Sequence, residues 1–95
     1  MAVYLTTTIT LKDMEKFQDY ATGARPTIAA HGGEPVMIGR LAGTLHGEAG
    51  HHMEVVLRFA DRAALEGWYN SPEYQALIPL RDAGADVVFK IVEDL

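Results

Sequence analysis

The chain has 95 residues, 13 acidic against 8 basic, a net charge of −5 and no cysteine. That length makes one small domain over residues 1–95, whose modest core leaves dimerisation as an easy route to more buried area. The acidic balance argues against a nucleic-acid face and against an anionic membrane, and the missing thiols exclude disulfides, thiol catalysis and cysteine-based zinc sites.

The opening "MAVYLTTTIT" lacks the basic flank and apolar core of a secretory signal. No apolar run approaches the roughly 20 residues of a membrane helix. The expectation is a cytoplasmic protein with neither a membrane nor a nucleic acid as partner. Val3 to Leu11 alternates: Val3, Leu5, Thr7, Ile9 and Leu11 share one face, and Tyr4, Thr6, Thr8 and Thr10 share the other. Period two with β-branched residues predicts a strand with one apolar face.

Asp13 caps a helix, its carboxylate accepting from the free amides of the first turn. Met14, Phe17, Tyr20, Ala21, Ala24 and Ile28 follow at helical spacing. Pro26 lies inside this pattern and predicts a kink or break near Gly23 to Arg25, because proline removes a helical hydrogen bond. Gly32-Gly33 ends the element.

A second strand is predicted from about Pro35 to Leu41, a turn over "AGTLHGEAGHH", and a third strand over His52 to Phe59. Met53, Val55, Leu57 and Phe59 form its apolar face. Asp61 caps a short helix carrying Leu65, Trp68 and Tyr69. Ser71-Pro72 restarts it, serine as cap and proline in the first turn, and the new helix runs to Gly84. Val87 to Val92 is the fourth strand.

The order is βαββαβ, the ferredoxin-like split arrangement, and the class is α+β. Four antiparallel strands form one sheet, and the helices cover one face. The other face carries Thr6, Thr8, Glu54, Val56, Arg58, Val88 and Lys90, a mixture neither plainly polar nor plainly apolar. A half-covered sheet usually turns polar residues to water, so the mixture suits a face closed by a second subunit.

With these elements in place the chain resembles a known family, domain-of-unknown-function family 1330, in the dimeric α/β-barrel (ferredoxin-like) superfamily. The resemblance covers nearly the whole chain. It rests on Tyr4, Asp13 and "HGGE" at His31 to Glu34, and above all on "WYNSPEYQALIPLRDAGA", Trp68 to Ala85. The family reads Arg-Gly-Gly in its second strand, where this chain has Ile38-Gly39-Arg40. The resemblance implies a homodimer and no established activity. Relatives in the superfamily include cofactor-free monooxygenases, isomerases, cyclases and haem enzymes, and none of their catalytic motifs matches here.

Tyr74, Leu77, Ile78 and Arg81 fall at i, i+3, i+4 and i+7, which turns Arg81 inward. A buried guanidinium needs a partner: a ligand carboxylate, phosphate or enolate, or an internal acid. His31, at the end of the first helix, falls near the side of Phe17, Tyr20 and Ala24. It is either a general base facing a pocket beneath the helices or a helix-end histidine held by the dipole. Trp68, Tyr69 and Tyr74 form the main aromatic cluster and are ligand-wall candidates, although aromatics at helical spacing usually belong to a core.

His46, His51, His52 and Glu54 suggest a metal at first sight. His52 and Glu54 share a strand face, but two ligands are too few for a dedicated site, so no metal is expected. Glu54 and Arg58 are expected to form a cross-face or intersubunit ion pair. No glycine-rich nucleotide fingerprint is present.

The expected function is cofactor-free catalysis on a small organic acid or ketone, by proton transfer or oxygenation, in a homodimer with a pocket between sheet and helices near the seam. In that reading His31 moves the proton, Arg81 holds negative charge, and Trp68, Tyr69 and Tyr74 shape the wall. The alternatives are a non-catalytic small-molecule binding module and a structural dimer with no open pocket.

Overall fold

The computed structural model describes residues 2–95. Its elements are β1 (Val3–Leu11), α1 (Met14–Ala30), β2 (Glu34–Arg40), β3 (Met53–Phe59), α2 (Arg62–Tyr69), α3 (Pro72–Gln75), α4 (Ile78–Gly84) and β4 (Ala85–Glu93). The strands form one four-stranded sheet in the order β2-β3-β1-β4, and every pairing is antiparallel.

The alternation in β1 decides which face the helices take. Val3, Leu5, Thr7 and Ile9 are buried, while Tyr4, Thr6, Thr8 and Thr10 are only half-buried. Register carries that face into the neighbouring strands: Leu5 lies opposite Leu57 and Ile91, and Thr7 opposite Val55 and Phe89. Phe59, Trp68 and Tyr74 are the largest fully buried side chains. Full burial of a side chain such as Phe59 contributes about 1.5–3 kcal/mol. No helix of the described residues is long and apolar enough to cross a membrane.

The helix α1 starts as its sequence requires, with the Asp13 carboxylate accepting from the Lys16 amide at 3.2 Å. It does not break at Pro26, contrary to expectation: the helix is continuous from Met14 to Ala30. An interior proline costs about 3 kcal/mol. Buried Phe17, Tyr20 and Ala24 lie before it and the packed Ile28 after it, so one apolar stripe anchors both halves. Gly32 then takes φ 74°, the left-handed conformation that ends the helix.

The segment after Ser71 is not one helix. It divides into α3 and α4, with Leu77 between them as the cap of the second. Pro79 explains the division: it has no N–H for the Gln75 carbonyl, and it is tolerated only in the first turn of a new helix. The buried Gly84 ends α4 against the start of α1. Its carbonyl accepts from Lys12 N at 2.8 Å and Asp13 N at 2.9 Å.

Candidate functional site

The helix α1 packs closely on α4 and α3, and its Phe17, Tyr20 and Ala24 join the core over the sheet. Between α1 and the sheet the larger Phe17, Tyr20 and Ile28 alternate with the small Ala21 and Ala24, and the space is not filled. A cavity of about 390 Å³ results, within the range of small-molecule sites. Leu5 and Ile9 of β1, Val55 of β3 and Phe89 of β4 form its floor, and Trp68 closes one side. Its polar side chains are Thr7, Tyr20, Arg25 and Trp68.

Two of these four are satisfied inside the protein. The Trp68 indole N–H donates to Thr27 Oγ1 at 3.0 Å, and Thr27 in turn donates to the Ala24 carbonyl at 2.6 Å. The Tyr20 hydroxyl shares a 2.8 Å hydrogen bond with the Tyr74 hydroxyl. Behind Tyr74 stands Arg81, whose Nη1 donates to Tyr74 Oη at 3.1 Å and Tyr69 Oη at 3.4 Å. Arg81 Nε donates to Asp82 Oδ1 at 3.0 Å, and its guanidinium carbon lies 5.3 Å from the centre of the Phe89 ring. The Trp68 and Tyr74 rings are 4.4 Å apart, centre to centre.

Electrostatics hold Tyr20, Tyr74 and Arg81 in fixed protonation states. Burial pushes the Tyr20 hydroxyl well above the ordinary phenol range, and neighbouring Tyr74 adds to the shift. Burial also raises Tyr74, against the hydrogen bonds from Tyr20 and Arg81. For Arg81 burial acts downward, but hydrogen bonds to Tyr69, Tyr74 and Asp82 outweigh it and the net shift is upward. Both tyrosines are therefore neutral at physiological pH. They are suited to holding geometry and polarity rather than to transferring protons, for which a group needs a pKa near the working pH.

The structure brings Tyr69, Tyr74 and Arg81 together as one hydrogen-bonded group behind the cavity. Trp68 is on the cavity wall itself. His31 is elsewhere: it caps the C-terminal end of α1, its Nδ1 is 3.0 Å from the Thr27 carbonyl, and its ring lies beside Gly67 of α2. His31 is not on the cavity wall.

The hairpin histidines also differ from expectation. His52 precedes β3, and its Nδ1 accepts from the Leu11 amide at 2.9 Å. It is His51 whose Nε2 meets Glu54 Oε2, at 3.2 Å. The Ala49 carbonyl, then the Glu54 carboxylate, raise the His51 pKa. Within the chain Glu54 is thus engaged by His51 and forms no pair with Arg58 among the described residues. No group of three or more metal-ligating side chains occurs among the described residues.

Sequence reasoning missed Tyr20, Thr7 and Arg25 as site residues. Thr7 did leave a signal, being the one polar residue on the otherwise apolar face of β1. Tyr20 left none, because its partner Tyr74 is 54 positions away.

The fold is ferredoxin-like. The chain belongs to the family described as Domain of unknown function (DUF1330), whose model matches residues 2–95. A protein of unknown function from Rhodopseudomonas palustris is similar in structure, with TM-score 0.84 and 18% identity over 99% of this chain and 82% of that one. A dimeric ferredoxin-like protein of unknown function from Jannaschia sp. CCS1 has TM-score 0.76 and 12% identity, covering 99% of this chain and 100% of that one. SnoaB, a cofactor-independent oxygenase from Streptomyces nogalater, has TM-score 0.73 and 12% identity, covering 99% and 93%. At these identities the likeness is one of fold. No curated protein matches the chain.

Proposed function

We propose that the protein is a cytoplasmic homodimer that takes a small, largely apolar molecule into the cavity between α1 and the sheet. The observation that carries this reading is the cavity of about 390 Å³, apolar over most of its wall with a few placed polar groups. Dimerisation is supported by the open sheet face, where Val88 and Val92 are 55% and 45% exposed beside the half-buried Tyr4, Thr6 and Thr8. It is supported also by the Jannaschia protein's description as dimeric.

Cofactor-free catalysis on a small organic acid or ketone, by proton transfer or oxygenation, is the second reading. The fold shared with SnoaB favours it. In that reading the cavity wall, including Trp68, meets the substrate. Arg81, Tyr74 and Tyr69 position Tyr20 from behind, and His31 acts through Thr27 rather than on the substrate.

The test uses Trp68, the only tryptophan, as a built-in reporter on the cavity wall. Excitation at ~295 nm selects tryptophan, and titration with 1-anilinonaphthalene-8-sulfonate is expected to quench Trp68 saturably with one site per chain. Ala21→Phe, which fills the cavity from α1, is expected to abolish that quenching while the fold persists. Equal quenching in the variant refutes the reading. Light scattering checks the dimer. Deuterium exchange into 1-tetralone and oxygen uptake separate catalysis from binding.

A further inference from the structure

Two of the four polar side chains on the cavity wall have no side-chain partner among the described residues. Thr7 is only 5% exposed, yet its hydroxyl forms no side-chain hydrogen bond among the described residues. No fully enclosed side-chain polar atom among the described residues lacks a partner, so the Thr7 hydroxyl has its free surface in the cavity. It stands mid-strand in the floor, between Val55 and Phe89, with Leu5 and Ile9 along its own strand. A hydroxyl among apolar groups is costly to bury unless something bonds it.

Arg25 is the second. It lies exposed on α1 and lines both this cavity and the shallower depression beside Met14 and Gln18. It forms no ion pair among the described residues. In a chain of net charge −5 this is a cation left free at the mouth of an apolar pocket. The other polar groups of the wall, Tyr20 and Trp68, are already committed to Tyr74 and Thr27.

We propose that the cavity's ligand is an apolar monocarboxylic acid bound end-on, an assignment that rests on the cavity being a ligand site. Its carboxylate meets the Arg25 guanidinium at the mouth, where the planar fork suits two carboxylate oxygens. Its apolar body lies between α1 and the sheet. A hydroxyl or carbonyl oxygen at the inner end bonds Thr7, which can both donate and accept. Dicarboxylates are rejected, because a second charge would reach a floor that holds no cation.

The experiment titrates Trp68 fluorescence with 5-phenylpentanoate, its primary amide and 5-(4-hydroxyphenyl)pentanoate. The acid is expected to bind about fivefold to tenfold more tightly than the amide, and less so as salt rises. Arg25→Gln is expected to remove that preference by weakening the acid much more than the amide. The hydroxyl-tipped acid is expected to bind more tightly than the plain acid. Thr7→Val, nearly isosteric and favourable in a strand, is expected to erase that second preference alone. Circular dichroism confirms that both variants fold. Acid and amide binding alike, unaffected by Arg25→Gln, would overturn the carboxylate assignment and leave the cavity reading standing. If neither these probes nor 1-anilinonaphthalene-8-sulfonate alters Trp68 emission, both readings fail together.

Discussion

Replacing Tyr74 by Phe removes one oxygen from a fully buried ring and leaves the ring in place. That oxygen pairs with Tyr20 at 2.8 Å and accepts from Arg81 at 3.1 Å. Arg81 keeps Tyr69 and Asp82 as acceptors. Among the described residues the Tyr20 hydroxyl keeps no other side-chain partner, and an orphaned buried hydroxyl costs about 1–3 kcal/mol. With the lost charge-assisted bond, Tyr74→Phe is expected to destabilise the fold by about 2–4 kcal/mol. Tyr20→Phe should cost less, about 1 kcal/mol, because the Tyr74 oxygen still accepts from Arg81. The double variant contains no orphan at that pair. Its cost should therefore fall short of the sum of the singles by about 1 kcal/mol or more. Urea unfolding followed by Trp68 emission measures all three, at one protein concentration because an associating chain is stabilised by mass action. A cost below about 0.5 kcal/mol for Tyr74→Phe, or strict additivity, would refute the claim that these hydroxyls form one coupled buried unit.

The same pair predicts an alkaline limit. Folded Tyr20 and Tyr74 titrate above the ordinary phenol value of about 10, so above that pH the unfolded chain loses protons that the folded chain keeps. The contribution of these two tyrosines should be level to about pH 9.5, then fall by up to about 1.4 kcal/mol per pH unit for each. Tyr20→Phe should make the fall shallower in pH-dependent urea titrations.

Gly84→Ala places a Cβ 2.6 Å from Phe17 N and 2.9 Å from Phe17 Cα, backbone atoms that cannot swing aside. Separating α4 from α1 weakens both hydrogen bonds to the Gly84 carbonyl. The expected loss of about 2 kcal/mol corresponds to a fall of roughly 10 °C in the thermal midpoint. Glu54→Gln removes a partner that raises His51, though the larger contribution from the Ala49 carbonyl remains. NMR titration should show the His51 pKa lowered part of the way toward the ordinary histidine value of about 6.5.

Local patterns in the sequence determined the strands, the caps and the covered face, because alternation, capping oxygens and glycine stops act over a few residues. The Val3 to Leu11 alternation, Asp13, Asp61 and Ser71 all behave as their spacing requires. Proline was ambiguous at that range. Pro26 is tolerated because packing holds both sides of it, whereas Pro79 divides a helix because the chain can begin a new first turn there. The inward stripe from Tyr74 to Arg81 was readable, and the two residues do meet. Whether Arg81 faced a ligand or its own neighbours was decided by distant groups, since Tyr69, Phe89 and, through Tyr74, Tyr20 arrive from three other elements. The cavity is wholly tertiary: α1 supplies one wall, and β1, β3 and β4 supply the other. No short window of residues records a distance between layers, so Thr7, Tyr20 and Arg25 acquire their common setting only when the helices close over the strands.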